Sequence, residues 1–242
     1  MSLDLIGWDA PGPYRAAFST RRGGVSEGPF ESLNLGVRTD DEPARVIENR
    51  IRLCAEVDVD PDGATMAWQR HGAVVRRAEP LGIVGPGTVY DHCDGLWTDD
   101  PGQGLVLLTA DCLPIVLVRE DERPAVAILH AGWRGLLAGI AASGVHALGG
   151  RVTAAIGPGI GPCCYEVGDE VATPFAETFG SDVVSDGHLD LWTSAERALR
   201  AAGAARVERF DLCTACNPDL FFSHRRDKGR TGRQGVIARV AG

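Results

Sequence analysis

The chain has 242 residues, 44% of them hydrophobic and 24% charged, the balance of an ordinary globular protein with enough length to bury a real core. A formal net charge of −9 argues against nucleic acid as the main partner, so an anionic ligand must be met by a local cluster of Lys and Arg. No run approaches the ~18 apolar residues that a membrane span needs, and the opening "MSLDLIGWDAPGPYRAAF" lacks a secretory pattern. Seven scattered cysteines, an odd number, predict reduced thiols and a cytoplasmic protein rather than a disulfide scaffold.

No repeat, low-complexity tract or Pro/Ser-rich linker divides the chain, which predicts one domain over residues 1–242. "YRAAFSTRRGG" reads as a strand entering a glycine turn. "DDEPARVIENRIRLCAEV" reads as a helix opened by acidic residues and Pro43, with Ile47, Ile51 and Cys54 at helical spacing. "TMAWQRHGAVVRRA" predicts a strand, a turn at His71-Gly72 and a second strand. "GLVLLTADCLPIVLV" and "PAVAILHAGW" are β-rich apolar runs of the kind found in central strands.

"LLAGIAASGVHALGG" predicts one helix with Leu137, Ile140, Gly144 and Leu148 on a shared face. "VTAAIGPGIGPCCYEVG" is a strand that breaks into a Gly/Pro-rich loop, and "DEVATPFAETFG" and "LWTSAERALRAAGA" are two further helices. The last segment holds short strands around a basic loop. The expected class is a mixed α/β fold of undetermined strand order.

His71, Cys112 and His130 each fall at or near the end of an apolar strand, beside a Gly, Pro or Asp turn. If those ends converge they offer two imidazoles and a thiolate, a set that suits zinc and leaves a fourth position open for water or substrate. A zinc so held can bring the pKa of bound water toward ~7. The same atoms allow a second reading, Cys112 as the nucleophile of a cysteine hydrolase with His130 or His71 as its base. The two exclude each other in the resting protein, and a lone cysteine in an apolar strand is most often a small core residue. Asp111 can share a pocket with Cys112 only if the strand has already ended, a break that Pro114 favours. It is then a proton acceptor or a support for the site; otherwise it caps a turn.

Arg21, Arg22 and Arg134, beside glycine turns, are candidates for an anion such as phosphate. "SHRRDKGRTGR" adds six basic residues, counting His224, against the single acid Asp227. It either closes over an anion or stays a solvated basic loop.

"FSTRRGGVSEGPFESLNLG", "RHG", "LLTADCLPI", "HAGWRG", "IGPGIGPCCYEVG" and "FFSHRRDKGRTGRQ" occur in this order between Phe18 and Gln234. Together they resemble the multicopper polyphenol oxidase, or laccase-domain, family of YfiH-like proteins. The resemblance implies a layered α/β sandwich akin to cysteine hydrolases. It also implies a zinc site of His71, Cys112 and His130, with copper as the other possible metal, beside which Asp111, by its position next to Cys112, is the expected further catalytic residue. Arg21, Asn34 and Arg134 become the expected substrate-binding residues. The activity implied is phosphorolysis of adenosine, inosine, guanosine or methylthioadenosine, with adenosine deamination. Copper-dependent phenol oxidation and editing of a peptidoglycan precursor are the alternatives within the family. The expected partners are purine nucleosides and phosphate, with no nucleic acid or membrane, in a monomer or homodimer.

Arg70 before His71, His92 and Cys93 in "YDHCDGLWT", His224 and Cys216 depart from the family's usual residues. One Cys213-x-x-Cys216 lacks the second pair that a metal site needs, so His92, Cys93 and Cys216 read as packing or incidental. His146 should be solvent-exposed and His188 should lie in a loop.

Overall fold

The computed structural model describes residues 3–85 and 91–241. In chain order its elements are β1 (Leu5–Trp8), β2 (Tyr14–Ser19), α1 (Pro43–Glu56), β3 (Thr65–Met66), β4 (Val75–Arg77), β5 (Gly95–Thr98), β6 (Leu105–Thr109), β7 (Leu113–Arg119) and β8 (Val126–Ala131). There follow α2 (Trp133–Leu137), α3 (Ile140–Leu148), β9 (Val152–Ile156), α4 (Asp169–Phe179), β10 (Val184–Ser185), β11 (His188–Leu189), α5 (Leu191–Ala201), β12 (Arg206–Arg209) and β13 (Gln234–Val240).

Two mixed sheets are stacked face to face. One has the strand order β1-β2-β13-β6-β3, the other β12-β9-β7-β8-β5-β4. Side-chain alternation along each strand builds the layers. Leu105, Leu107, Val236 and Phe18 of the first sheet meet Val116, Val118, Val126 and Ile128 of the second. The intervening residues Val106, Ile237 and Ala17 face outward onto Leu53 and Cys54 of α1. On the far side, Leu113, Ile115, Leu117 and Leu129 pack under Ile140, Val145 and Leu148 of α3 and Ala195 and Leu199 of α5. The result is a helix–sheet–sheet–helix sandwich. Burial on both faces explains why β6, β7 and β8 read as unbroken apolar runs.

Four local expectations are revised. "GLVLLTADCLPIVLV" is two strands in different sheets: the chain crosses between them at residues 110–112, where Asp111 has φ +89°. The predicted helix at 136–150 is broken by Gly139 at φ +88° into α2 and α3. On α1 the buried face is Val46, Asn49, Arg50, Leu53 and Cys54, while Ile51 is 41% exposed. Spacing allowed either face; the choice follows from Asn49, whose amide donates to Ser26 and to the carbonyls of Ser32 and Asn34, and from Arg50, which donates to the carbonyls of Leu35 and Ile83. His188 lies in β11, paired with β10, rather than in a loop, whereas His146 is exposed as expected. Among the described residues no helix is long and apolar enough to cross a membrane.

Candidate metal centre and active-site cavity

The crossing at 110–112 delivers Cys112 to the start of β7. His130 stands directly opposite Pro114 in the β7–β8 register, and its other edge faces β5. The His130 N–H donates to the carbonyl of Asp94 at 2.7 Å, and its Nδ1 lies 2.9 Å from the Asp94 carboxylate. Asp94 also shapes the turn that carries the other imidazole. Its carboxylate accepts the backbone N–H groups of Arg70 (3.1 Å), His71 (2.8 Å) and Gly72 (2.8 Å). Three converging N–H groups stabilise the left-handed backbone of His71, at φ +60°.

The His71 and His130 rings are therefore brought to a centroid separation of 4.8 Å, inclined at 70°. The ligand atoms of His71, Cys112 and His130 all lie within 4.8 Å of one another. With Nδ1 of His130 committed to Asp94, Nε2 is its free nitrogen, the usual arrangement of a metal-binding histidine with a carboxylate behind it. Gly132 makes room for the set: a Cβ there would fall 2.8 Å from the Cys112 sulfur and 3.3 Å from the His71 ring. The donors fit zinc or copper, and both imidazoles and the thiol can reach one ion.

Electrostatics favours the ionised thiol. Burial by itself raises the Cys112 pKa, but His130 and His71 outweigh it and bring it down to about 6. Burial likewise lowers that of His130, and the Cys112 thiolate with Asp94 overcomes this to push it up to about 9.

The triad opens into a cavity of about 500 Å³. Its lining includes Trp68, Asp111, Tyr165 and His224, together with the guanidinium-bearing residues Arg38, Arg50, Arg225 and Arg233. Asp111 and Cys112 face the same space because β7 begins only at Leu113. The Asp111 carboxylate, 8% exposed, accepts the Thr214 hydroxyl and the Arg225 N–H, both at 2.7 Å. Arg38 covers the Trp68 ring, 3.1 Å from its centroid, and Arg225 lies 5.2 Å from that of Tyr165. The basic segment near the C-terminus thus reaches the cavity through His224, Arg225 and Arg233, while Arg226 is tied to Asp227 and to the carbonyls of Thr214 and Phe221.

The other expected substrate residues lie elsewhere. Arg21 donates to the carbonyls of Glu31 and Pro218 and stacks 4.6 Å from the Phe222 centroid, so its guanidinium staples two loops outside the cavity lining. Arg22 does the same to Asp219 and Asp4. Arg134 is exposed over Trp133, 4.2 Å from its ring centroid, and neither lines the cavity. Asn34 is fully buried behind the wall: its amide donates to Thr39 and Asp41, and its carbonyl accepts the N–H groups of Gly36 and Arg233. It holds cavity residues without lining the cavity itself. Cys93 is a core residue, 1% exposed, and His92 is an exposed partner of Arg70.

Asp94 escaped sequence reasoning. The only signal was an acidic residue before a glycine at a strand start in "DHCDGLW", and nothing local links it to His71 or His130.

A family model described as multi-copper polyphenol oxidoreductase laccase matches residues 15–241, and the chain belongs to that family. Among similar proteins, one named purine nucleoside phosphorylase YfiH from Escherichia coli is 36% identical, covering 93% of each chain. One named purine nucleoside phosphorylase from Deinococcus radiodurans is 39% identical over 91% of this chain and 87% of that protein. The crystal structure of YlmD from Geobacillus stearothermophilus superposes with a TM-score of 0.89 at 34% identity, over 99% of this chain and 98% of that one.

Proposed function

We propose that this protein is a zinc-dependent purine nucleoside phosphorylase that also deaminates adenosine. The observation that carries the reading is a nitrogen-and-sulfur ligand set opening into the same cavity as Arg38, Arg225 and Arg233. Relatives named purine nucleoside phosphorylase support the phosphorolysis part of it. A volume of about 500 Å³ falls in the range of small-molecule sites.

Phosphorolysis forms a bond from a phosphate oxygen to the sugar's anomeric carbon while the bond from that carbon to the purine nitrogen breaks. Guanidinium forks suit phosphate, and Arg233 and Arg225, which line the cavity, are the residues that would hold it. The Arg38–Trp68 stack and the Tyr165 ring offer faces to a purine. Burial, aided by the nearby Cys112 thiolate, pushes the Tyr165 hydroxyl up to about 12, so it remains a donor for the departing base. Deamination adds water to a purine carbon and expels ammonia. Asp111 lines the cavity and serves as the proton acceptor. Zinc held by His71, Cys112 and His130 supplies Lewis-acid chemistry and a more acidic water.

Incubation of the purified protein with inosine and phosphate should release hypoxanthine and ribose 1-phosphate, and adenosine alone should yield inosine and ammonia. Failure of both with zinc-replete protein sinks the reading, and metal analysis of active protein decides between zinc and copper. A second reading rests on the Cys112 pKa of about 6: a thiolate beside His130 could serve an amidase that edits a peptidoglycan precursor. Serine release from the mis-charged precursor, without nucleoside turnover, would favour it.

A further inference from the structure

Cys213-x-x-Cys216 lacks a second pair in the sequence, but the fold supplies one. The loop after β9 carries the adjacent Cys163 and Cys164, and the sulfurs of Cys163, Cys164, Cys213 and Cys216 all lie within 4.8 Å of one another. The Cys216 sulfur is 3.3 Å from those of both Cys163 and Cys164. Cys216 is therefore not incidental. We propose that these four cysteines form a tetrathiolate site for one zinc ion, separate from the His71–Cys112–His130 set and structural in role.

Tetrahedral zinc with Zn–S bonds of 2.3 Å sets its sulfurs about 3.8 Å apart. Two of the sulfur–sulfur spacings are 3.3 Å and all lie within 4.8 Å, so small adjustments of the side chains bring the four to that value. Four sulfurs close the coordination sphere, which is the mark of a structural site. Binding releases the thiol protons and leaves a dianionic centre. Cys163 and Cys216 are exposed, so water tempers that charge, and the Gly161 N–H donates to the Cys213 sulfur at 3.3 Å. A Cys216 disulfide could use only one of its two equidistant neighbours, whereas one metal ion can bind all four sulfurs at once.

The site joins two segments that both build the cavity. Cys163 and Cys164 lie between the lining residues Ile160 and Tyr165. Cys213 bridges to Gly159, and Thr214 beside it donates to Asp111. Zinc here would clamp the cavity wall without touching substrate.

The test uses Cys112→Ala, which removes one ligand of the other set. This variant should retain one equivalent of zinc after gel filtration, and X-ray absorption should show four sulfur ligands near 2.3 Å. Adding Cys213→Ser and Cys216→Ser should reduce bound zinc more than tenfold. Cobalt exchanged into Cys112→Ala should give the intense visible bands of tetrahedral thiolate cobalt, absent from the triple variant. The proposal is overturned if the native cluster in Cys112→Ala binds no metal or carries iron, if its four thiols react freely in zinc-replete protein, or if mass spectrometry finds a disulfide there. Because Cys112→Ala needs no change to the cluster, these results stand even if the serine variants misfold, and they are independent of nucleoside turnover.

Discussion

Asp94 receives His130 Nδ1 at 2.9 Å and, on the same carboxylate, the N–H of His71 at 2.8 Å. One buried side chain thereby sets the ring of one candidate metal ligand and the backbone of the other. Burial opposes its ionisation, but His130 and the N–H groups of Gly72 and Arg70 outweigh that and hold its pKa below the usual carboxylate value.

Asp94→Asn should weaken metal binding about 10–100-fold, because an amide presents N–H to a turn that offers only N–H. Competition with a chromogenic chelator measures this, and unchanged affinity would contradict the role given to Asp94. The depressed pKa also carries a stability term, present above the unfolded value of about 4 and lost as pH falls through the lower folded value. Denaturant midpoints of wild type should therefore fall more steeply on the acid side than those of Asp94→Asn.

In metal-free protein, Cys112 is a thiolate above about pH 6 and His130 stays protonated to about pH 9. Its alkylation by iodoacetamide should rise through pH 6 and then level, rather than climb through the ordinary thiol value of about 8.5. Loading with zinc should suppress the reaction. Mass spectrometry assigns the site, and fast alkylation of zinc-loaded Cys112 would remove it from the ligand set.

Gly132→Ala has an acceptable backbone, φ −86°, but its methyl would meet the Cys112 sulfur at 2.8 Å. The overpacking should cost about 1–3 kcal/mol and displace a ligand. Metal content should fall at least tenfold while circular dichroism stays native. Full metal retention would show that the triad tolerates a shift the geometry forbids.

Arg233→Ala should raise the KM for phosphate about tenfold or more, as expected when a charge-assisted contact is lost. Arg21→Ala, outside the cavity, should leave that KM unchanged and lower the thermal midpoint, since its ties to Glu31 and Pro218 are lost. Steady-state kinetics beside thermal melts separate the two, and the opposite pattern would restore Arg21 as a phosphate ligand.

Local pattern determined a good deal: the turn carrying His71, the strand ends carrying Cys112 and His130, the helices α1, α4 and α5, and the mixed α/β class. These are legible because turn chemistry and hydrophobic periodicity act within a few residues. Motif resemblance added the family. Only the tertiary structure assigned β6 and β7 to different sheets, put Arg38, Arg225 and Arg233 rather than Arg21 and Arg134 in the cavity lining, and placed Asp94 behind both imidazoles. It also brought Cys163 and Cys164 to Cys213 and Cys216. Each of these depends on pairings between segments distant in the chain, and a pairing is decided by which buried faces and polar groups satisfy one another, not by the spacing inside either segment.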